Sequence, residues 1–150
     1  MKTNIIHLFC LGFLLGCNGE KAKELGVFQD GLNVCPPSSK CVSSSHPKDQ
    51  AEYSIDALQV EGDYINAIEK LLKITRKNPQ FKLSTLNPTY LQYEHTSGLF
   101  NTIRDVEFFY TPAQNVIHIR AQSRSHLPDF GGCRNVLEDI KFKYFQNDVN

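Results

Sequence analysis

The sequence predicts a small single α+β domain, an antiparallel sheet of about four strands packed by one helix on its N-terminal side and by a C-terminal helix. Three observations carry this. A stretch near the middle has apolar residues at helical spacing, four later stretches alternate apolar and polar residues, and a last helical pattern closes the chain.

From Asp63 onward Tyr64, Ile65, Ile68, Leu71, Leu72 and Thr75 fall on one helical face. Asp63 suits an N-cap, and Asn78-Pro79 stops the helix. Before it, Tyr53 to Val60 reads as extended. After it come the strand-like runs Phe81 to Leu86, Tyr90 to Thr96, Ile103 to Tyr110 and Val116 to Arg124, with Thr111 to Asn115 as the turn between the last two. Asp129-Phe130-Gly131-Gly132 breaks the pattern. A closing helix then runs from about Arg134 to Phe145, with Leu137, Ile140 and Tyr144 on one face.

Ahead of the domain stands an export signal. Lys2 gives a positive start, and Ile5 to Leu15 form an apolar run broken only by His7 and Gly12, too short to span a bilayer. Leu14-Leu15-Gly16-Cys17 closes it in the manner of a bacterial lipobox, in which the precursor is cut before the cysteine and lipidated on it. The expected organisation is a signal peptide over 1–16, a lipidated tether over 17–24 and an irregular Cys-containing arm over 25–50. The α+β domain follows over 51–150, with arm and domain forming one unit. Asn18 after the cysteine resembles the pattern of lipoproteins sent to the outer membrane, so the expected location is lipid-anchored in the cell envelope, facing the periplasm.

The chain has 16 basic and 16 acidic residues, and cleavage removes only Lys2 from that balance. A near-neutral chain without a basic run argues against nucleic acid as partner. Cys35 and Cys41 flank a Pro-Pro turn, and in an exported protein that spacing suggests a local disulfide, with free thiols as the other reading. Zinc fits poorly, because its usual pairs stand two to four residues apart and need two further ligands.

The hairpin of residues 104–124 is where pairing can be argued. Val106, Phe108 and Tyr110 share one face with Ile117, Ile119 and Ala121; Asp105 and Glu107 share the other with His118, Arg120, Gln122 and Arg124. A one-residue slip would lay apolar against charged faces. Two registers remain. Val106 opposite Ile119 sets Asp105 against Arg120 and Glu107 against His118; Phe108 opposite Ile119 sets Glu107 against Arg120. Asp105, Glu107, Arg120, Ser123, Arg124 and Asp129 are therefore candidates either for a structural charged network or for a polar-ligand site.

Three stretches together resemble the bacterial and plastid family called domain of unknown function 1499. Leu32 with Cys35-Pro36-Pro37-Ser38-Ser39-Lys40-Cys41-Val42-Ser43-Ser44 is like the pattern L-x-C-P-x-S-P-N-C-V-S-S. Arg104-Asp105-Val106-Glu107-Phe108 after Phe100 echoes F-x-D-D-V-E-F. Arg120, Ser123, Arg124, Asp129, Gly131 and Arg134 follow R-S-x-S-R-x-G-x-x-D-x-G-x-N-R. The departures are Ser39 and Lys40 for Pro and Asn, Arg104 for the first Asp, Ala121 for the first Ser, His126 for a Gly and Cys133 for the Asn. The resemblance implies a fold and motif positions, with no activity attached.

Catalytic patterns are weak. His126 and Cys133 would need to meet for a nucleophile pair. Asp105 and Glu107 share a face about 6–7 Å apart, but facing arginines depress both acids where a general acid needs one raised. The histidines form no metal-binding pair, and no phosphate-binding glycine loop occurs. The expectation is a non-enzymatic binding or interaction module without catalytic residue, metal or cofactor. Its partners would be the membrane, through the lipid on Cys17, and a protein or small anionic ligand. The alternative is an envelope hydrolase using Asp105, Glu107 and Ser123.

Overall fold

A computed structural model describes residues 20–22, 24–37, 40–98, 101–126 and 128–146. The signal segment 1–16 and the lipidation candidate Cys17 lie outside the described residues. In chain order the elements are β1 (Val27–Phe28), β2 (Gly31–Leu32), β3 (Cys41–Ser43), β4 (Leu58–Gln59), α1 (Tyr64–Arg76), β5 (Phe81–Leu86), β6 (Tyr90–Thr96), β7 (Ile103–Thr111), β8 (Val116–Ser123) and α2 (Gly132–Phe145).

The fold is α+β as expected, but the main sheet has six strands rather than about four. Its order is β3-β8-β7-β6-β5, all antiparallel, with β4 sharing the outer edge of β8 beside β3. The two extra strands are two and three residues long, too short for alternation to show in a sequence. β1 and β2 form a separate hairpin. Its two-residue turn places Gln29 and Asp30 at positive φ, the geometry that matches strand twist.

Both helices pack on one sheet face. Leu71 of α1 and Leu137 and Ile140 of α2 meet Leu91, Val106, Phe108, Ile117, Ile119 and Ala121, a continuous apolar cluster. The N-cap of α1 is Asp63, whose carboxylate accepts the Ile65 N–H at 3.2 Å. α2 begins two residues before the expected Arg134. Gly131 turns the chain at φ 77°, and the Asp129 carboxylate accepts the Cys133 N–H at 2.6 Å, filling an orphan donor of the first turn.

Of the extended stretch expected over Tyr53 to Val60, only β4 and a bridge between Ser43 and Ser54 are paired. No helix among the described residues is long and apolar enough to cross a membrane.

Candidate functional site

Register decides the candidate site. Phe108 pairs with Ile119 and Glu107 with Arg120, the second of the two registers the alternation allows. Asp105 and Glu107 therefore share the sheet face turned away from the helices with Gln92, Glu94, Arg120, Gln122 and Arg124.

Along β7 that face is not open to solvent. The N-terminal segment crosses it along β7. Ala22 N–H donates to Asp105 Oδ2 at 3.3 Å, Gly26 N–H donates to Glu107 Oε1 at 2.7 Å, and the Asp30 carbonyl accepts from Thr111 Oγ1 at 3.2 Å. The chain then returns through β2, where Leu32 N–H donates to Ser45 Oγ. Ala22, which the sequence places in a tether, is thus already bound to the sheet. Under this cover Asp105, Glu107 and Arg120 are all 0% exposed.

The carboxylates are satisfied locally, whereas the buried Arg120 Nε has no hydrogen-bond partner among the described residues. Glu107 Oε2 accepts Arg120 Nη1 at 2.6 Å, while its Oε1 accepts the Tyr90 hydroxyl at 2.7 Å besides Gly26. Burial, and then the Glu107 charge, raise the Tyr90 hydroxyl far above its ordinary value and keep it a donor. Arg120 Nη2 also donates to Gln122 Oε1. One rung on, Arg124 grips Asp105 with Nε at 2.9 Å and Nη2 at 2.6 Å, and Nη2 reaches Glu94 at 2.7 Å. The hydrogen bond to Asp105 is the main reason the Arg124 pKa is raised further. This is bidentate pairing with both Asp105 oxygens occupied.

The remaining candidates are elsewhere. Ser123 pairs with Arg104 across the strands, on the face of Ile119 and Ala121, and its Oγ accepts the Ser125 N–H at 3.2 Å. Asp129 lies at the start of α2, where its Oδ1 accepts Arg104 Nε at 3.0 Å and Nη2 at 2.8 Å. Of the six motif residues, Asp105, Glu107, Arg120 and Arg124 thus share the covered face, Asp129 pairs with Arg104 elsewhere, and the Ser123 side chain bonds within its own loop. Asp105, Glu107 and Ser123 do not converge.

Sequence reasoning missed Tyr90, Glu94 and Arg104 as partners of these residues. Glu94 and Tyr90 follow from the alternation of β6 once its neighbour is known; for Arg104 the only signal is its place as a departure from the family pattern. Gly132 completes the pairing of Arg104 with Asp129. A Cβ there would overlap the Arg104 guanidinium where it now lies, so the glycine gives Arg104 its present course against α2 to Asp129.

Cys35 and Cys41 are joined by a disulfide, with Cα atoms 5.5 Å apart. Cys133 is a free, buried thiol at the start of α2 whose Sγ donates to the Lys40 carbonyl at 3.1 Å. Burial, then the Asp129 charge, push it up and out of the thiolate range, while His126 is exposed. Arg134 donates to the carbonyls of Ala51, Glu52 and Ser54 and so ties the segment before β4 to α2. No cluster of three or more His, Cys, Asp or Glu suited to a metal ion occurs among the described residues.

These features define a class of small α+β domain, a six-stranded sheet with helices on one face and a buried ion-pair ladder under an N-terminal cover on the other. The chain belongs to the family described as Protein of unknown function (DUF1499), whose model matches residues 31–142, from β2 into α2. No curated protein matches the chain.

Proposed function

We propose that this is a non-enzymatic binding or interaction module, held at the bacterial envelope by a lipid on Cys17 and facing the periplasm from the outer membrane. The observation that supports it is the state of the motif charges. Glu107, Asp105 and Arg120 are fully buried, and every oxygen of the two carboxylates already has a donor. Groups so engaged hold a fold together; they do not meet a substrate. Ser123, on the opposite sheet face, has no carboxylate of that pair to act as its base, which counts against the hydrolase reading. The partner would then be a protein or a small anionic ligand met at the surface, with no role for nucleic acid or a cofactor.

Two measurements test this. Fractionation of Cys17→Ser should release the protein from the membrane; if the variant still pellets with membranes, the anchor is wrong. Photo-crosslinking from exposed positions in the native envelope should give a discrete adduct of fixed mass, unchanged in Ser123→Ala. A hydrolase would instead lose its cellular phenotype in Ser123→Ala with the fold intact, and that result would displace the binding reading.

A further inference from the structure

The two ends of the sheet are chemically different, and the N-terminal segment leaves from one of them. The last complete rung at that end is Phe81, His95, Arg104 and Ser123. Beyond it lie the α1–β5 turn, tied by the Gln80 carbonyl to Thr96, the β6–β7 turn, tied by Ser97 to Thr102, and the β8–α2 loop, held by Lys40 Nζ on the Ser125 carbonyl. Ala22 is bound to Asp105, one rung inside. Cys17 is five residues earlier, a reach of at most about 18 Å, against about 30 Å for the length of nine-residue β7.

This end carries the most exposed large apolar residue among those described. Phe130 is 85% exposed and sits at φ 49°, unusual for a bulky side chain. It is held there because Asp129 is clamped by Arg104 and the Gly132 N–H closes the turn onto the Asp129 carbonyl. Lys40, Arg134 and Glu52 line the same surface hollow as Phe130, and the exposed charges of the other segments at this end are Lys21, Arg76 and Lys77 with Glu20.

The opposite end differs. There the β1–β2 turn lies by Thr111, and Asn115 binds the Val60 carbonyl; the exposed charges of its turns, Asp30, Glu61 and Asp63, are acidic, and Lys143 in the last turn of α2 is paired with Asp139. A surface of negative charge would favour the first end and repel the second.

From this asymmetry we infer that the end bearing Phe130, Lys77 and Lys21 rests on the anionic bilayer that holds the lipid, with the Phe130 ring inserted at the interface. The inference rests on the lipid anchor at Cys17 proposed above. Aromatic rings flanked by basic side chains are the usual chemistry of such contacts. The acidic end then points away from the membrane, free for a soluble partner.

The chain has no tryptophan, so one introduced residue reports its own surroundings. The lipidated full-length protein, as Phe130→Trp and separately as Phe28→Trp in the hairpin at the far end, is reconstituted into vesicles of phosphatidylethanolamine and phosphatidylglycerol with brominated acyl chains. Both should float with the vesicles. Bromine should quench the Phe130→Trp protein at least twofold more than the Phe28→Trp protein, and adding Lys77→Glu should reduce that quenching. Equal quenching at the two ends, or none in floating protein, overturns the orientation and leaves the anchor standing. Failure to float, with Cys17 unacylated by mass, overturns both.

Discussion

Arg120 is among the largest fully buried side chains of the protein, and a buried guanidinium is tolerable only if its charge is matched. Removing one partner of such a pair leaves the other charged and dry, at a cost of about 3–5 kcal/mol. Arg120→Met should therefore lose that much stability in urea denaturation, and Arg120→Lys less, since it keeps the charge and gives up the fork to Glu107 and Gln122. His95 on the helix face is a different case. It is 5% exposed, its Nδ1 has no hydrogen-bond partner among the described residues, and burial followed by the adjacent Arg104 lowers it from 6.5 to about 4. The folded protein keeps the ring neutral down to about pH 4, whereas the unfolded chain takes up a proton from about 6.5. Stability from this group is thus full above the unfolded value and falls as pH drops through the window toward 4, by on the order of 2–3 kcal/mol. His95→Leu should flatten that slope relative to the parent when denaturation midpoints are compared from pH 7 to pH 4. A parallel slope in the variant would assign the acid sensitivity to the carboxylates instead.

Among the elements, α2 shows how a single glycine couples a helix to a strand. Gly132 occupies the first turn, and the space its missing Cβ leaves is filled by the Arg104 guanidinium on its way to Asp129. Gly132→Ala should push that guanidinium off its partner and cost about 1–3 kcal/mol, the range for overpacking a filled site. With Arg104 cut back to alanine the clash is gone, and the same substitution should become neutral or stabilising because alanine is the better helix former. That change of sign is readable by thermal denaturation of the four proteins in the cycle, and a constant cost would refute the coupling. Legibility in the sequence divides along the same lines. The four long strands, α1 and its Asp63 cap were readable because their periodicity runs for six residues or more, and the slip argument limited Glu107 to two partners, of which Arg120 is the one found. β3 and β4 were not, because two or three residues cannot display a period. The tether and the arm show almost no periodicity, and their backbone donors, Ala22 to Asp105 and Gly26 to Glu107, are invisible because they belong to main chain and leave no mark on residue type. Alternation alone also cannot tell a solvated charged face from a covered one.

For the whole molecule, the consequence is that the centre of the sheet, along β7 and β8, is covered on both faces by different means. Helices supply apolar area on one; on the other, a segment with almost no apolar periodicity lies over ion pairs and gives backbone N–H groups to their carboxylates. Ion pairs of this kind respond to salt according to their cover. Buried pairs are screened little, whereas solvated ones lose most of their attraction over a Debye length of about 8 Å at physiological ionic strength. In the chain from residue 20 onward, Arg124 to Asp105 and Arg120 to Glu107 are dry on the carboxylate side, so stability should depend weakly on added sodium chloride. A chain beginning at Leu32 removes the Ala22 and Gly26 donors and the β1 strand but keeps the disulfide, all of the main sheet and both helices. Water then reaches the ladder and replaces the two lost N–H groups, and each pair weakens toward the 0–1 kcal/mol typical of exposed ones. The shortened chain should still fold, with lower stability, and its denaturation midpoint should fall measurably between about 0.05 and 0.5 M salt while that of the longer chain stays nearly flat. Matching salt profiles would mean that the segment over 20–31 does not shield the ladder in solution, and the covering role assigned to it would have to be abandoned.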